Sequence, residues 1–336
     1  MRRDLNAPQG AVHRRTIDSK ALAGNPLGDP NKRLVDIYIP AGHDGAGLPL
    51  LVDLVGFTAG GPGHTNWKNF GENAPERLDR LIASGAMPPV AVVFPDCFTK
   101  LGGNQYINSE GVGHWADFLI DEAVPFVERE FKCGGKGKRG CFGKSSGGYG
   151  AMVHAMLYAD FWSAAASHSG DVGVDLMYRH EMPNLLRALA PHGGEPKGWL
   201  EKFFAAPKHK DSDIHILMML CMCATYDPDP SAYLNIRLPV DPHTCEFIPE
   251  RWQNWLDWDP LTLAEKHMAN LKKLKFFYLD CGNVDQYNLV YGARRLHAML
   301  ERMGVAHRYE EFPDNHSSVD YRMDISLPLL AKALSQ

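Results

Sequence analysis

Gly140-Cys141-Phe142-Gly143-Lys144-Ser145-Ser146-Gly147-Gly148-Tyr149-Gly150 is the stretch that decides how this chain is read. Gly140 to Phe142 has the character of a short strand, and Ala151 to Tyr158 that of a helix rich in small residues. Between them, Gly143-Lys144-Ser145-Ser146-Gly147 fits G-x-S-x-G, which on a strand-to-helix turn holds the central serine clear of its neighbours. Glycine two positions to either side lets adjacent backbone pass where a Cβ would collide. The turn also sets the serine at a helix N-terminus, where the Ser146 N–H and the positive dipole end can stabilise a developing oxyanion. Ser145 is therefore the candidate nucleophile. Were it Ser146, Lys144 would stand where glycine is wanted. A phosphate-binding G-x-x-x-x-G-K-[ST] loop would need glycine at position 138, which is Lys138.

Outward from this turn, strands and helices alternate. Arg33 to Ile39, Leu48 to Val55, Val90 to Phe94 and Trp162 to Ala166 read as strands. Pro75 to Ser84 and the stretch from Ala116 to just before Gly134 read as helices, the second expected to kink at Pro125. Lys275 to Leu279 and His307 to Phe312 are further strands, followed by helices at Tyr287 to Met303 and Ile325 to Leu334. Such alternation predicts an α/β fold: a mainly parallel sheet with helices on both faces. Residues 171–258, rich in proline and carrying Trp199, Trp252, Trp255 and Trp258, break the pattern. They are expected to form a cap inserted into a core made of residues 1–170 and 259–336.

A serine hydroxyl is a poor nucleophile near neutral pH until a histidine takes its proton and a carboxylate holds that histidine's tautomer. Around a strand-turn-helix serine, the acid and then the histidine follow in the chain. Three histidines follow the strand at 275–279: His297 in a helix, His307 in a strand, and His316 in the turn Pro313-Asp314-Asn315-His316. The turn position can reach across strand ends, so His316 is the candidate base. Asp285 is the preferred acid, with Asp280 at the strand end and Asp171 or Asp175 as rivals. The loop Gly56-Phe57-Thr58-Ala59-Gly60-Gly61-Pro62-Gly63-His64 offers the Phe57 N–H as second oxyanion donor beside that of Ser146.

The formal charge of −5, with basic residues scattered along 336 positions, gives no concentrated basic face for nucleic acid. Seven cysteines at irregular spacing fit reduced thiols in the cytoplasm better than a secreted disulfide framework. The longest apolar run, 216–224, falls far short of the ~20 residues that span a bilayer. The residues after Arg2 and Arg3 are too polar for a signal peptide. Cys221-x-Cys223 near His215 lacks a second ligand pair, so no metal is expected.

The ordered set of motifs resembles the esterase D and enterochelin-esterase-like branch of the α/β-hydrolases, whose relatives include S-formylglutathione hydrolases and feruloyl esterases. The residues that carry this resemblance are Gly143 to Gly150, Phe94-Pro95-Asp96, Gly103-Asn104-Gln105-Tyr106, Ser167-His168-Ser169-Gly170-Asp171, Asp259-Pro260-Leu261, Leu279 to Asp285, and His316. It implies a cofactor-free serine carboxylesterase with Ser145, Asp285 and His316 as triad and the Phe57 and Ser146 amides as oxyanion hole. An acyltransferase using the same triad, or an inactive binding module on the same fold, would share these motifs. The expected partner is a small-molecule ester, without nucleic acid or membrane, and self-association as a homo-oligomer stays open. Trp252, Trp255 and Trp258 recur along one helix side and, with Tyr149, either bind substrate or pack the cap onto the core.

Overall fold

The computed structural model describes residues 7–336. Eight strands form one sheet: β1 (Ala11–Asp18), β2 (Lys32–Ile39), β3 (Leu50–Leu54), β4 (Ala91–Pro95), β5 (Arg139–Lys144), β6 (Ala164–His168), β7 (Phe276–Gly282) and β8 (Arg308–Phe312). Their spatial order is β1-β2-β4-β3-β5-β6-β7-β8. Pairing is parallel from β4 through β8, and antiparallel only where β2 meets β1 and β4. The chain thus has the mainly parallel sheet of an α/β-hydrolase.

The period-two alternation of the strands divides their side chains between two cores. Leu51, Phe142, Ala166 and Tyr278 face α1 (Ala74–Ala83) and the C-terminal Met323–Leu334 helix, which contribute Leu78, Leu81, Leu327, Leu330 and Leu334. Val52, Cys141, Ala165 and Phe277 face the opposite layer: α2 (Val124–Phe131), α3 (Ser146–Leu157) and the Leu289–Arg302 helix. Residues buried on both faces explain why these strands read as continuous apolar runs. Truncating one such leucine to alanine costs about 2–5 kcal/mol.

Three local features differ from the expectation. β1 was not anticipated, because His13, Arg14 and Arg15 hide its alternation; it pairs with β2 over eight residues at the sheet edge. Helix α3 begins at Ser146, five residues before Ala151. Glycine has low helix propensity, but here tertiary contact wins: a Cβ on Gly147 would lie 1.7 Å from the Leu54 carbonyl oxygen, and one on Gly150 2.6 Å from the Tyr106 ring. Ahead of α2 the chain winds as a π-helical segment over Phe118–Ala123, immediately before Pro125, whose missing N–H cannot extend the ladder.

Between β6 and β7 the chain is mostly helical, with an irregular stretch over 227–248. It contains α4 (Met182–Leu189), α5 (Pro196–Ala205), α6 (Asp211–Tyr226), α7 (Pro249–Asp257) and α8 (Pro260–Lys266), and α9 (Leu289–Arg302) and α10 (Met323–Leu334) follow. All seven cysteines are free thiols. Among the described residues, no helix is long and apolar enough to cross a membrane.

Candidate active site

Ser145 occupies the single residue between β5 and α3, at φ 57° and ψ −126°. This backbone conformation is costly for a residue with a Cβ and persists only where its surroundings over-determine it. Three contacts do so. The Ser145 N–H donates to the His168 carbonyl at 3.0 Å, and the Ser145 carbonyl accepts from Tyr149 N–H at 2.8 Å. On the two flanks, Cβ atoms on Gly143 and Gly147 would collide with the Leu54 carbonyl oxygen at 2.2 and 1.7 Å, so β3 packs against the turn at a distance only glycine permits. Ser146 is the first residue of α3, and its N–H has no acceptor within the helix.

The loop after β3 runs alongside. A Cβ on Gly56 would stand 3.7 Å from the Ser145 Cβ, which puts the start of this loop against the serine. The Tyr106 hydroxyl donates to the Val55 carbonyl at 2.6 Å and so orients the peptide that leads into Gly56 and Phe57. Gly102 and Gly103 lie against Phe57, whose ring is buried. Further along, His64 Nδ1 lies 2.6 Å from Asp53 Oδ2. Burial disfavours the charged imidazole, but the Asp53 carboxylate outweighs it and raises the His64 pKa.

His316 follows β8 and Asp285 follows β7, both at the same strand ends as Ser145. His316 Nδ1 lies 2.8 Å from Asp285 Oδ2, and both residues are buried. The other Asp285 oxygen accepts from Tyr287 N–H at 2.9 Å, and the Gln286 side-chain oxygen accepts from His316 N–H at 2.9 Å. The Tyr287 ring meets the His316 imidazole edge-on at 4.8 Å, and its hydroxyl lies 3.0 Å from Nε2 of His215 on α6. Gln286, Tyr287 and His215 carried no signal in the sequence, because their roles depend on contacts between distant elements.

The rival acids have other partners. Asp280, inside β7, lies 2.9 Å from His168 Nδ1, and His168 Nε2 lies 2.8 Å from the Ser326 hydroxyl. This second serine–histidine–aspartate constellation is sealed in the core and also accepts from Arg322 at 2.9 Å. Burial acts to raise the Asp280 pKa, but His168 and Arg322 outweigh it and hold the carboxyl below its ordinary value. Asp175 pairs with Arg295 at the surface. Asp171 is buried, with Oδ2 accepting from Gln105 Nε2 and the Tyr178 hydroxyl, both at 2.9 Å. Burial raises its pKa against those two hydrogen bonds.

Of the aromatic candidates, Trp255 and Tyr149 are fully buried, Trp252 nearly so, and Trp258 half-buried. Trp255 packs against Tyr178 at 5.5 Å, Tyr226 at 5.3 Å and Trp252 at 5.5 Å, and the Tyr149 hydroxyl donates to the Trp258 carbonyl at 2.9 Å. The Trp255 contacts join elements within 171–258, and Tyr149, through Trp258 and its ring contact with Tyr226 at 6.2 Å, ties them to α3. Lys144, beside the serine, is half-buried; burial pushes its pKa down, against the carboxylates of Asp320 and Asp285.

The structure brings a strained serine and a carboxylate-held imidazole to one end of the sheet, with the Ser146 N–H free at the α3 N-terminus and Gly56 alongside, which suits acyl transfer. Comparison with known proteins bears on the fold and the family. Three solved structures superpose over nearly the whole chain. A ferulic acid esterase has a TM-score of 0.61 at 18% identity, covering 97% of this chain and 99% of its own. An S-formylglutathione hydrolase from Agrobacterium tumefaciens gives 0.61 at 14%, covering 98% and 97%. A fluorophosphonate-binding serine hydrolase of Staphylococcus aureus gives 0.59 at 14%, covering 96% and 99%. Sequence comparison with curated proteins finds no match. The Esterase family model matches residues 30–328, and the chain belongs to that family of ester hydrolases.

Proposed function

We propose that this ester hydrolase is a serine carboxylesterase working through an acyl-enzyme on Ser145. The observation that carries the reading is the Ser145 backbone at φ 57° and ψ −126°, a strain that displays the hydroxyl at a helix N-terminus. His316 Nε2 takes the proton as Ser145 Oγ attacks the ester carbonyl, and Asp285 on Nδ1 holds the tautomer and stabilises the imidazolium. The Phe57 and Ser146 N–H groups receive the oxyanion. The alcohol leaves with the proton from His316, and water attacks the acyl-enzyme by the same base in reverse.

Residues 171–258 serve as the cap that shapes the acyl and alcohol pockets, with Trp258 the most exposed of its tryptophans. Their packing against Tyr149 of α3, through Tyr226 and the Trp258 carbonyl, supports this role. Seven free thiols support a reducing, cytoplasmic setting. The experiment is turnover of p-nitrophenyl acetate and butyrate, with products analysed in the presence of added alcohols. Hydrolysis to the free acid is expected; preferential transfer to the alcohol would identify an acyltransferase, and no turnover a binding module.

A further inference from the structure

At the other end of β8 from His316, a second group of side chains has no part in this chemistry. Helix α9 presents His297 and Glu301 one turn apart, on the same face. The chain then turns and places His307 just before β8. One ligand atom from each of the three lies within 4.8 Å of the others. His297 Nδ1 and His307 Nε2 face each other at 2.8 Å, and His307 Nδ1 lies 2.8 Å from the Val305 carbonyl oxygen. A carbonyl can only accept, so the neutral His307 ring carries its hydrogen on Nδ1 and turns the Nε2 lone pair toward His297. A backbone carbonyl that fixes the far nitrogen of an imidazole is the usual outer support of a metal-binding histidine. The His297 ring is held in plane by stacking on Tyr309 at 4.6 Å and 21°.

We propose that His297 Nδ1, His307 Nε2 and a Glu301 carboxylate oxygen bind one divalent transition-metal ion of the zinc class, with water in the fourth position. Two imidazoles and a carboxylate are a known zinc donor set, with metal–nitrogen bonds of about 2.0–2.1 Å. Nitrogens on a tetrahedral ion at that bond length stand about 3.3 Å apart, so the two rings separate by roughly half an ångström on binding. The exposed Glu301 swings in to close the site. His297 moves its hydrogen from Nδ1 to Nε2 through solvent, so both rings stay neutral and no proton is lost. The ion replaces one N–H···N bond with a clamp between α9 and β8, the elements that follow Asp285 and precede His316.

The test uses the full chain, stripped by chelator and titrated with zinc chloride by calorimetry, with thermal unfolding in parallel. One ion per chain is expected, with a rise in Tm of several degrees at saturation. His297→Ala and His307→Ala each abolish the heat and the Tm rise, Glu301→Gln weakens binding about tenfold, and His13→Ala changes neither. If His307→Ala does not fold, as judged by circular dichroism, His297→Gln asks the same question. Wild-type protein that takes up no zinc, or folded His297 and His307 variants that bind it as wild type does, overturns the proposal.

Discussion

Asp285 and His316 meet at 2.8 Å across the ends of two neighbouring strands, while Asp280, five residues earlier, points into the core and meets His168 instead. The two aspartates should therefore fail in different ways. Asp285→Asn is expected to lower kcat by about 10⁴-fold, because the amide no longer enforces the productive tautomer, with little change in stability. Asp280→Ala strips the buried His168 imidazole and the Arg322 Nε–H of their carboxylate, leaving Arg322 only Glu310 and the Tyr278 hydroxyl, and should cost about 3–5 kcal/mol of stability. Steady-state kinetics and urea unfolding on both variants separate the two roles; a stable, inactive Asp280 variant would reverse the assignment.

Tyr106 holds the carbonyl of Val55, one peptide before the Gly56–His64 loop proposed to supply an oxyanion donor. Tyr106→Phe removes that hydroxyl without emptying the ring's site. An expected drop in kcat of about tenfold, with KM nearly constant, reports a Phe57 N–H that has lost its aim at the transition state. An unchanged kcat would mean the loop is held elsewhere.

Gly147 and Leu54 are in contact that leaves no room for a methyl group, whereas a Cβ on Gly63 would meet nothing within 4 Å. Gly147→Ala should lower the Tm and activity together, with overpacking of at least about 1–3 kcal/mol. Gly63→Ala, in the glycine-rich loop after β3, should preserve both. A Gly147→Ala protein with wild-type Tm and turnover would contradict the packing described at the turn.

The buried Asp171 titrates above its ordinary value of 3.8. A carboxyl whose folded pKa is raised favours the folded state below that ordinary value and loses the contribution as pH climbs through the folded value. Asp171→Asn removes this dependence. The variant's stability relative to wild type should therefore be higher at neutral pH than at pH below 3.8, measured by urea unfolding at both. A gap that is flat or opposite in slope would show that the carboxyl is not penalised by burial.

The turn at Ser145 was legible because its signal is local: an apolar strand, glycines at fixed spacing and a serine between them specify one strand-to-helix turn. The sheet was legible for a similar reason, since strands buried on both faces announce themselves as apolar runs. Contacts between distant segments left no such mark. Asp280 looked like a strand end because the apolar run stops at Leu279, yet β7 continues to Gly282 and buries that side chain. Glycines 147, 148 and 150 argue against a helix by propensity, and only the close approach of Leu54, Gly170 and Tyr106 explains why α3 begins there. The packing of Trp255 on Tyr178 and Tyr226, and of Tyr287 on His316, joins residues far apart in the chain, so periodicity could not reveal either.

The central claim is that the strained Ser145 is the nucleophile, and an active-site-directed fluorophosphonate tests it most directly. Treated protein should gain the mass of a single adduct, mapped by peptide sequencing to Ser145, and should lose ester turnover in proportion. Ser145→Ala should take up no label and lose about 10⁴-fold or more in kcat. Labelling at Ser146 or elsewhere, or full turnover in folded Ser145→Ala protein, would contradict the account.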